Sequence, residues 1–170
     1  MGTRRIMKMA ITFAAILAVL VILHSWRAYS SQEMRAPSDD EVTRVFHANR
    51  DKFERLRQMA TEDMHETSFL SEANLSAKLP ISRRNEYISL LKLSPGLEVG
   101  ANYDGSVRFI FASAGQAICP GWAKGIEFVP DMEKVIGVPS ETLDDSAHFP
   151  AGVYLRKLEP RWLLFFQRDE

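Results

Sequence analysis

Residues 97–111, LEVGANYDGSVRFIF, decide the fold class of this chain. Leu97, Val99 and Ala101 alternate with Glu98, Gly100 and Asn102; Val107, Phe109 and Phe111 alternate with Ser106, Arg108 and Ile110. A period of two marks a strand with one buried face, and Asp-Gly between two such runs marks a hairpin. Loop length then sets the register. A two-residue loop at Asp104-Gly105 opposes Val99 with Ile110 and turns Phe109 to the face of Gly100 and Asn102. A three-residue loop, Tyr103-Asp104-Gly105, opposes Val99 with Phe109 and Leu97 with Phe111, gathering the apolar side chains on one face. A slip of one residue turns every side chain over, so the three-residue loop is expected, with Gly105 in a left-handed bulge.

C-terminal to this hairpin, residues 122–129 read as a third strand ended by Pro130, followed by a helical turn over 131–136 closed by Gly137. Residues 138–150, VPSETLDDSAHFP, form a polar loop. Two more strands, 153–158 and 162–167, meet around Glu159-Pro160. The run Trp162-Leu163-Leu164-Phe165-Phe166 is apolar on both faces, which predicts a central strand covered by helix on at least one face.

N-terminal to the hairpin the period changes to that of a helix. Val42, Val45, Phe46, Phe53, Leu56, Met59 and Ala60 recur at helical spacing over 39–61, and Ser38 with Glu41 forms a capping box. A second helix is predicted over 83–93, capped by Ser82, with Tyr87, Ile88, Leu90 and Leu91 on its buried side. Residues 64–81 read as mostly loop. The expected fold is therefore α+β, with two helices on one face of an antiparallel meander of about five strands.

Residues 2–31, GTRRIMKMAITFAAILAVLVILHSWRAYSS, stand apart from this domain. Residues 9–23 carry no charge and no breaker. Alone they make a helix of roughly 22 Å, the length of a signal-peptide core. Ile6 and Met7 extend the run past Lys8, whose stem can snorkel, and Trp26 falls at the opposite interface. Residues 6–26 then make about 31 Å and span the ~30 Å hydrocarbon core. Small residues suited to cleavage occur only at Ala28-Tyr29-Ser30, so the segment reads as a retained anchor, with removal before Ser31 as the alternative. Arg4, Arg5 and Lys8 precede it, which keeps the N-terminus in the cytoplasm and exports the rest. The expected organisation is a membrane anchor or signal peptide at 1–26, a linker at 27–37 and an extracytoplasmic domain at 38–170.

Without residues 1–30 the chain has 17 basic and 22 acidic side chains, a formal charge of −5. That argues against nucleic acid as a partner, which needs basic patches. The expected partners are the bilayer, through residues 6–26, and a protein of the envelope.

Chemistry-bearing residues are few. Cys119 is the one cysteine, so no internal disulfide forms, and His148 is the histidine that would serve it as a base. A lone cysteine between Ile118 and Pro120-Gly121 reads instead as a small packed side chain. His24, His47, His65 and His148 show no metal-ligand spacing. Asp144-Asp145 reads as solvated or capping, and Asn74-Leu75-Ser76 is a glycosylation sequon by pattern alone. Arg108, Lys124, Arg156 and Arg161 fall on or beside strands; clustered, they would receive an anion, and dispersed, they discourage edge aggregation. No phosphate-binding, dinucleotide-binding or serine-hydrolase motif is present. The sequence thus assigns no catalytic residue, cofactor-binding residue, metal ligand or cofactor. The favoured function is a tethered binding or accessory domain that is not an enzyme. The alternative is a small exported enzyme or anionic-ligand module built on Cys119 and His148 or on the basic strand residues.

Overall fold

The computed structural model describes residues 36–63, 69–73, 75, 79–116, 119–144 and 148–170. The expected membrane helix at 6–26 and most of the linker lie outside them. Among the described residues no helix is long and apolar enough to cross a membrane. Residues 36–170 form one compact unit.

The architecture is α+β: three helices and a seven-stranded, mostly antiparallel sheet. In chain order these are α1 (Asp39–Ala48), α2 (Arg50–Asp63), β1 (Phe69–Leu70), α3 (Ile81–Leu91), β2 (Glu98–Ala101) and β3 (Val107–Gln116). Then come β4 (Cys119–Phe128), a 3-10 turn (Met132–Lys134), β5 (Val138–Pro139), β6 (Gly152–Glu159) and β7 (Trp162–Arg168).

The hairpin behaves as its pattern requires. Val99 opposes Phe109 and Ala101 opposes Val107. Gly105 has φ of 79°, and Asn102 N–H donates to Ser106 O across the loop at 2.9 Å. Leu97, Val99, Ala101, Val107, Phe109 and Phe111 are all buried. They share one core with Val42 and Phe46 of α1, Phe53 and Leu56 of α2, and Tyr87 and Leu91 of α3. The helices therefore cover one face of the sheet.

Four expectations need correction. The single helix over 39–61 is two, because the Asn49 side chain donates to Val45 O at 3.0 Å and its backbone N–H turns to Phe46 O. Asparagine competes for helix carbonyls in this way. The helix expected to start after Ser82 begins at Ile81 behind Pro80, whose carbonyl accepts from Arg84 N–H at 3.0 Å. The sheet has seven strands rather than about five; the additional ones, β1 and β5, are two-residue edge strands within segments that read as loop.

Nor is the sheet a simple meander. Its order is β1-β2-β3-β4-β7-β6-β5: the chain leaves β4 for the far edge, pairs β5 parallel to β6, and returns with β7 between β6 and β4. The reason lies in β7, where Trp162 to Phe166 are all buried and an edge position would leave one face wet. On the helix-free face, Leu163 and Phe165 join Val129 and Leu155 in a second, smaller core. The segment between β4 and β5 contributes Val135 to it.

Candidate functional site

Strand β4 alternates Trp122, Lys124, Ile126 and Phe128 towards the helices. Lys124 thus occupies a core position, 1% exposed. An unpaired ammonium there would cost several kcal/mol, so partners must surround it. Asp39, in the first turn of α1, places Oδ1 2.7 Å from Lys124 Nζ, and Asp144 places Oδ1 at 3.0 Å. The ammonium also donates to Leu143 O at 3.4 Å. Asp39 Oδ2 accepts from Leu143 N–H at 2.8 Å, Thr142 Oγ1 at 3.4 Å and an Arg156 guanidinium nitrogen at 3.0 Å. Asp39 N–H in turn donates to Asp144 Oδ1 at 2.6 Å.

Two cations and two carboxylates thereby close on one another. The cluster ties four parts of the chain together: the start of α1, strand β4, strand β6 and residues 142–144. Leu143, fully buried, seats that loop in the main core. Burial pulls the Asp39 carboxyl upward, but the hydrogen bond from Lys124, the Leu143 N–H and the neighbouring charges outweigh it and hold it below the usual carboxylate range.

Beyond Leu143 the loop lays Phe149 on Tyr154, with ring centroids 4.2 Å apart, and edge-on to Phe166 at 5.9 Å. Phe149 O accepts from Arg168 at 3.3 Å. His148, the proposed partner of Cys119, is exposed on this loop. Cys119 lies in β4 opposite Gln116, within a strand that begins earlier than its apolar pattern indicated. Its side chain lies outside the described set, as do Asp145, Asn74 and Ser76.

The four basic strand residues do not form one site. Lys124 and Arg156 converge, each on an acid. Arg108 lies on the opposite face, donating to Glu127 at 3.0 Å and Gln167 Oε1 at 3.0 Å with its guanidinium over Phe165. Arg161 is exposed in the β6–β7 turn at φ 68°. Among the described residues no group of His, Cys, Asp or Glu is arranged to hold a metal ion.

Asp39 and Asp144 escaped sequence reasoning as partners. The available signal was Lys124 itself, the charged member of an apolar alternation, which announces a buried cation without saying who neutralises it. A second feature also went unread. On the helix-free face a depression of about 210 Å³ lies between the 102–106 loop and residues 134–136, lined in part by Asp104, Arg108, Glu127, Lys134 and Ile136. No protein-family model, no curated protein and no solved structure matches the chain.

Proposed function

We propose that the protein is a membrane-tethered extracytoplasmic domain that works by binding, as an accessory protein of the envelope, and not by catalysis. The observation that carries this reading is the closed ion cluster. An enzyme or anion receptor built on the strand cations needs them free to meet substrate, and Lys124 and Arg156 are spent on Asp39 and Asp144. The apolar run at 6–26 with Arg4, Arg5 and Lys8 before it supports the tether and its orientation. The folded unit, with 16 basic and 21 acidic residues over 36–170, suits a cationic protein partner better than nucleic acid or an anionic surface.

Alkaline phosphatase fused after Glu170 tests the topology. It is expected to be active, and a fusion active only with a cytoplasmic reporter overturns the export. For the absence of catalysis, Cys119→Ala and His148→Ala should each complement a deletion strain fully. Loss of function in either folded variant would restore the thiol-enzyme reading.

A further inference from the structure

Strands β3 and β4 set a base against an acid on the helix-free face, where Arg108 opposes Glu127 in the ladder. The guanidinium donates from Nε to Glu127 Oε1 and from Nη1 to Gln167 Oε1, both at 3.0 Å. Its third nitrogen, Nη2, and the second carboxylate oxygen, Glu127 Oε2, have no hydrogen-bond partner among the described residues. Glu127 is only 7% exposed, a low value for a carboxylate with an oxygen to spare. An arginine–carboxylate pair frequently engages through two parallel hydrogen bonds. This one makes a single bond and keeps a donor and an acceptor in reserve, on adjacent side chains.

Both side chains line the depression of about 210 Å³, and its other charges repeat the pairing. Asp104 adds a carboxylate, held ionised chiefly by the Ser106 N–H. Lys134 adds an ammonium that contacts Asp131 at 3.3 Å and stays 73% exposed. Two acids and two bases sum to zero, so a ligand of one sign is attracted by one pair and opposed by the other. The remaining wall is apolar, from Val129, Val135, Ile136 and Leu155. Water can meet the polar atoms and leaves that wall uncovered; a molecule with both charges and an aliphatic body satisfies both. The volume lies below the roughly 300–1,000 Å³ of sites for drug-sized ligands, so the occupant is small.

We infer that the recess binds a free α-amino acid with an aliphatic side chain. An α-amino acid carries both its charges on one carbon, and Arg108 and Glu127, already in hydrogen-bond contact, require a ligand whose charges are that close. Its carboxylate meets Arg108 Nη2 and Lys134, its ammonium meets Glu127 Oε2 and Asp104, and its side chain lies on Val129, Val135 and Leu155. The inference goes beyond the binding reading above, because it concerns a small ligand and leaves the envelope partner to another surface.

Calorimetry on the full chain in detergent micelles tests it with L-leucine and three further probes. These are 4-methylpentanoate, which lacks the ammonium; 3-methylbutylamine, which lacks the carboxylate; and O-phosphoethanolamine, a lipid head group whose charges stand further apart. L-Leucine should bind, and each single-charge analogue at least tenfold more weakly. Glu127→Gln should weaken leucine at least tenfold. Lys134→Glu, at an exposed position that does not endanger folding, should weaken it at least threefold. Arg161→Ala, exposed in the β6–β7 turn, should change it less than twofold. No saturable binding of leucine at millimolar concentration, or binding indifferent to Lys134→Glu, overturns the site. Equal binding of either single-charge analogue overturns the zwitterion and assigns the recess to an anion or a cation. Phosphoethanolamine binding tighter than leucine also overturns it and assigns the recess to a lipid head group.

Discussion

Lys124 and Arg83 each face two carboxylates at hydrogen-bond distance, under opposite conditions. Lys124 meets Asp39 and Asp144 inside the core, where both it and Asp39 are almost wholly buried. Arg83, on α3, meets Asp63 at 2.7 Å and Glu62 at 2.6 Å at the end of α2, with Glu62 61% exposed. From there the pairing continues across the surface through Glu86 to Arg55. The Coulomb attraction of a pair is several times larger in the low-dielectric interior, but so is the desolvation it must offset. An interior cluster is therefore costly to break and modest in net value, whereas a surface network is cheap to break and modest in value too. The difference lies in what is left behind when one member is removed.

That asymmetry orders the expected effects. Lys124→Ala should be the most severe, on the order of 3–5 kcal/mol by urea denaturation of the 36–170 fragment, because Asp39 stays buried without its main cation. A loss below about 1 kcal/mol would mean that water reaches Asp39 and that the cluster is not a sealed interior feature. Asp144→Ala should cost less, about 1–3 kcal/mol, since its carboxylate is half exposed but Asp39 N–H loses its acceptor and Lys124 one of its two acids.

Acid should distinguish the networks further. The folded Asp39 carboxyl is held below its unfolded value, so its contribution is present above about pH 4 and is lost as the pH falls through the folded value. Lys124→Ala removes the main cause of that depression and leaves burial, which acts in the other direction. The gap between wild type and variant should then narrow as the pH falls from 6 to 3; a constant gap would show that Asp39 is not the group responsible. Arg83→Ala should be the mildest, about 0.5–1 kcal/mol in low salt, and the difference should shrink in 1 M NaCl. If Arg83→Ala instead matches Lys124→Ala, the packing of its stem beside the Tyr87 ring, 6.0 Å from the guanidinium, matters more than its charge.

The candidate site shows where sequence reading stops. Lys124 and Arg156 were identifiable as basic strand residues, and the parity of β4 already placed Lys124 with Trp122 and Ile126. Its acids are 85 residues before it and 20 after it, and nothing local marks Asp39 as different from Asp40 beside it. Both read as first-turn acids of a capped helix, yet Asp39 is buried and Asp40 exposed. The helix's rotation against the sheet makes that choice. The same holds for the helix-free face, where Asp104 and Ile136 belong to different loops and line one depression only because the chain crosses that face on its way from β4 to β5.

The elements legible in advance were those whose information is short-range. The hairpin over 97–111 carried its own register, because a single buried face and a glycine at positive φ leave one solution. Central placement of β7 followed from five consecutive apolar residues. The helices announced themselves by period, which missed the break at Asn49 inside 39–61 and the start behind Pro80, because both rest on hydrogen bonds that periodicity cannot see. What tertiary structure alone decided was order and pairing: β7 returning between β4 and β6, two-residue strands recruited at the edges, and a buried lysine finding Asp39 and Asp144. Those outcomes depend on contacts between residues far apart in the chain, whose energies become available only once the apolar faces have packed and excluded water.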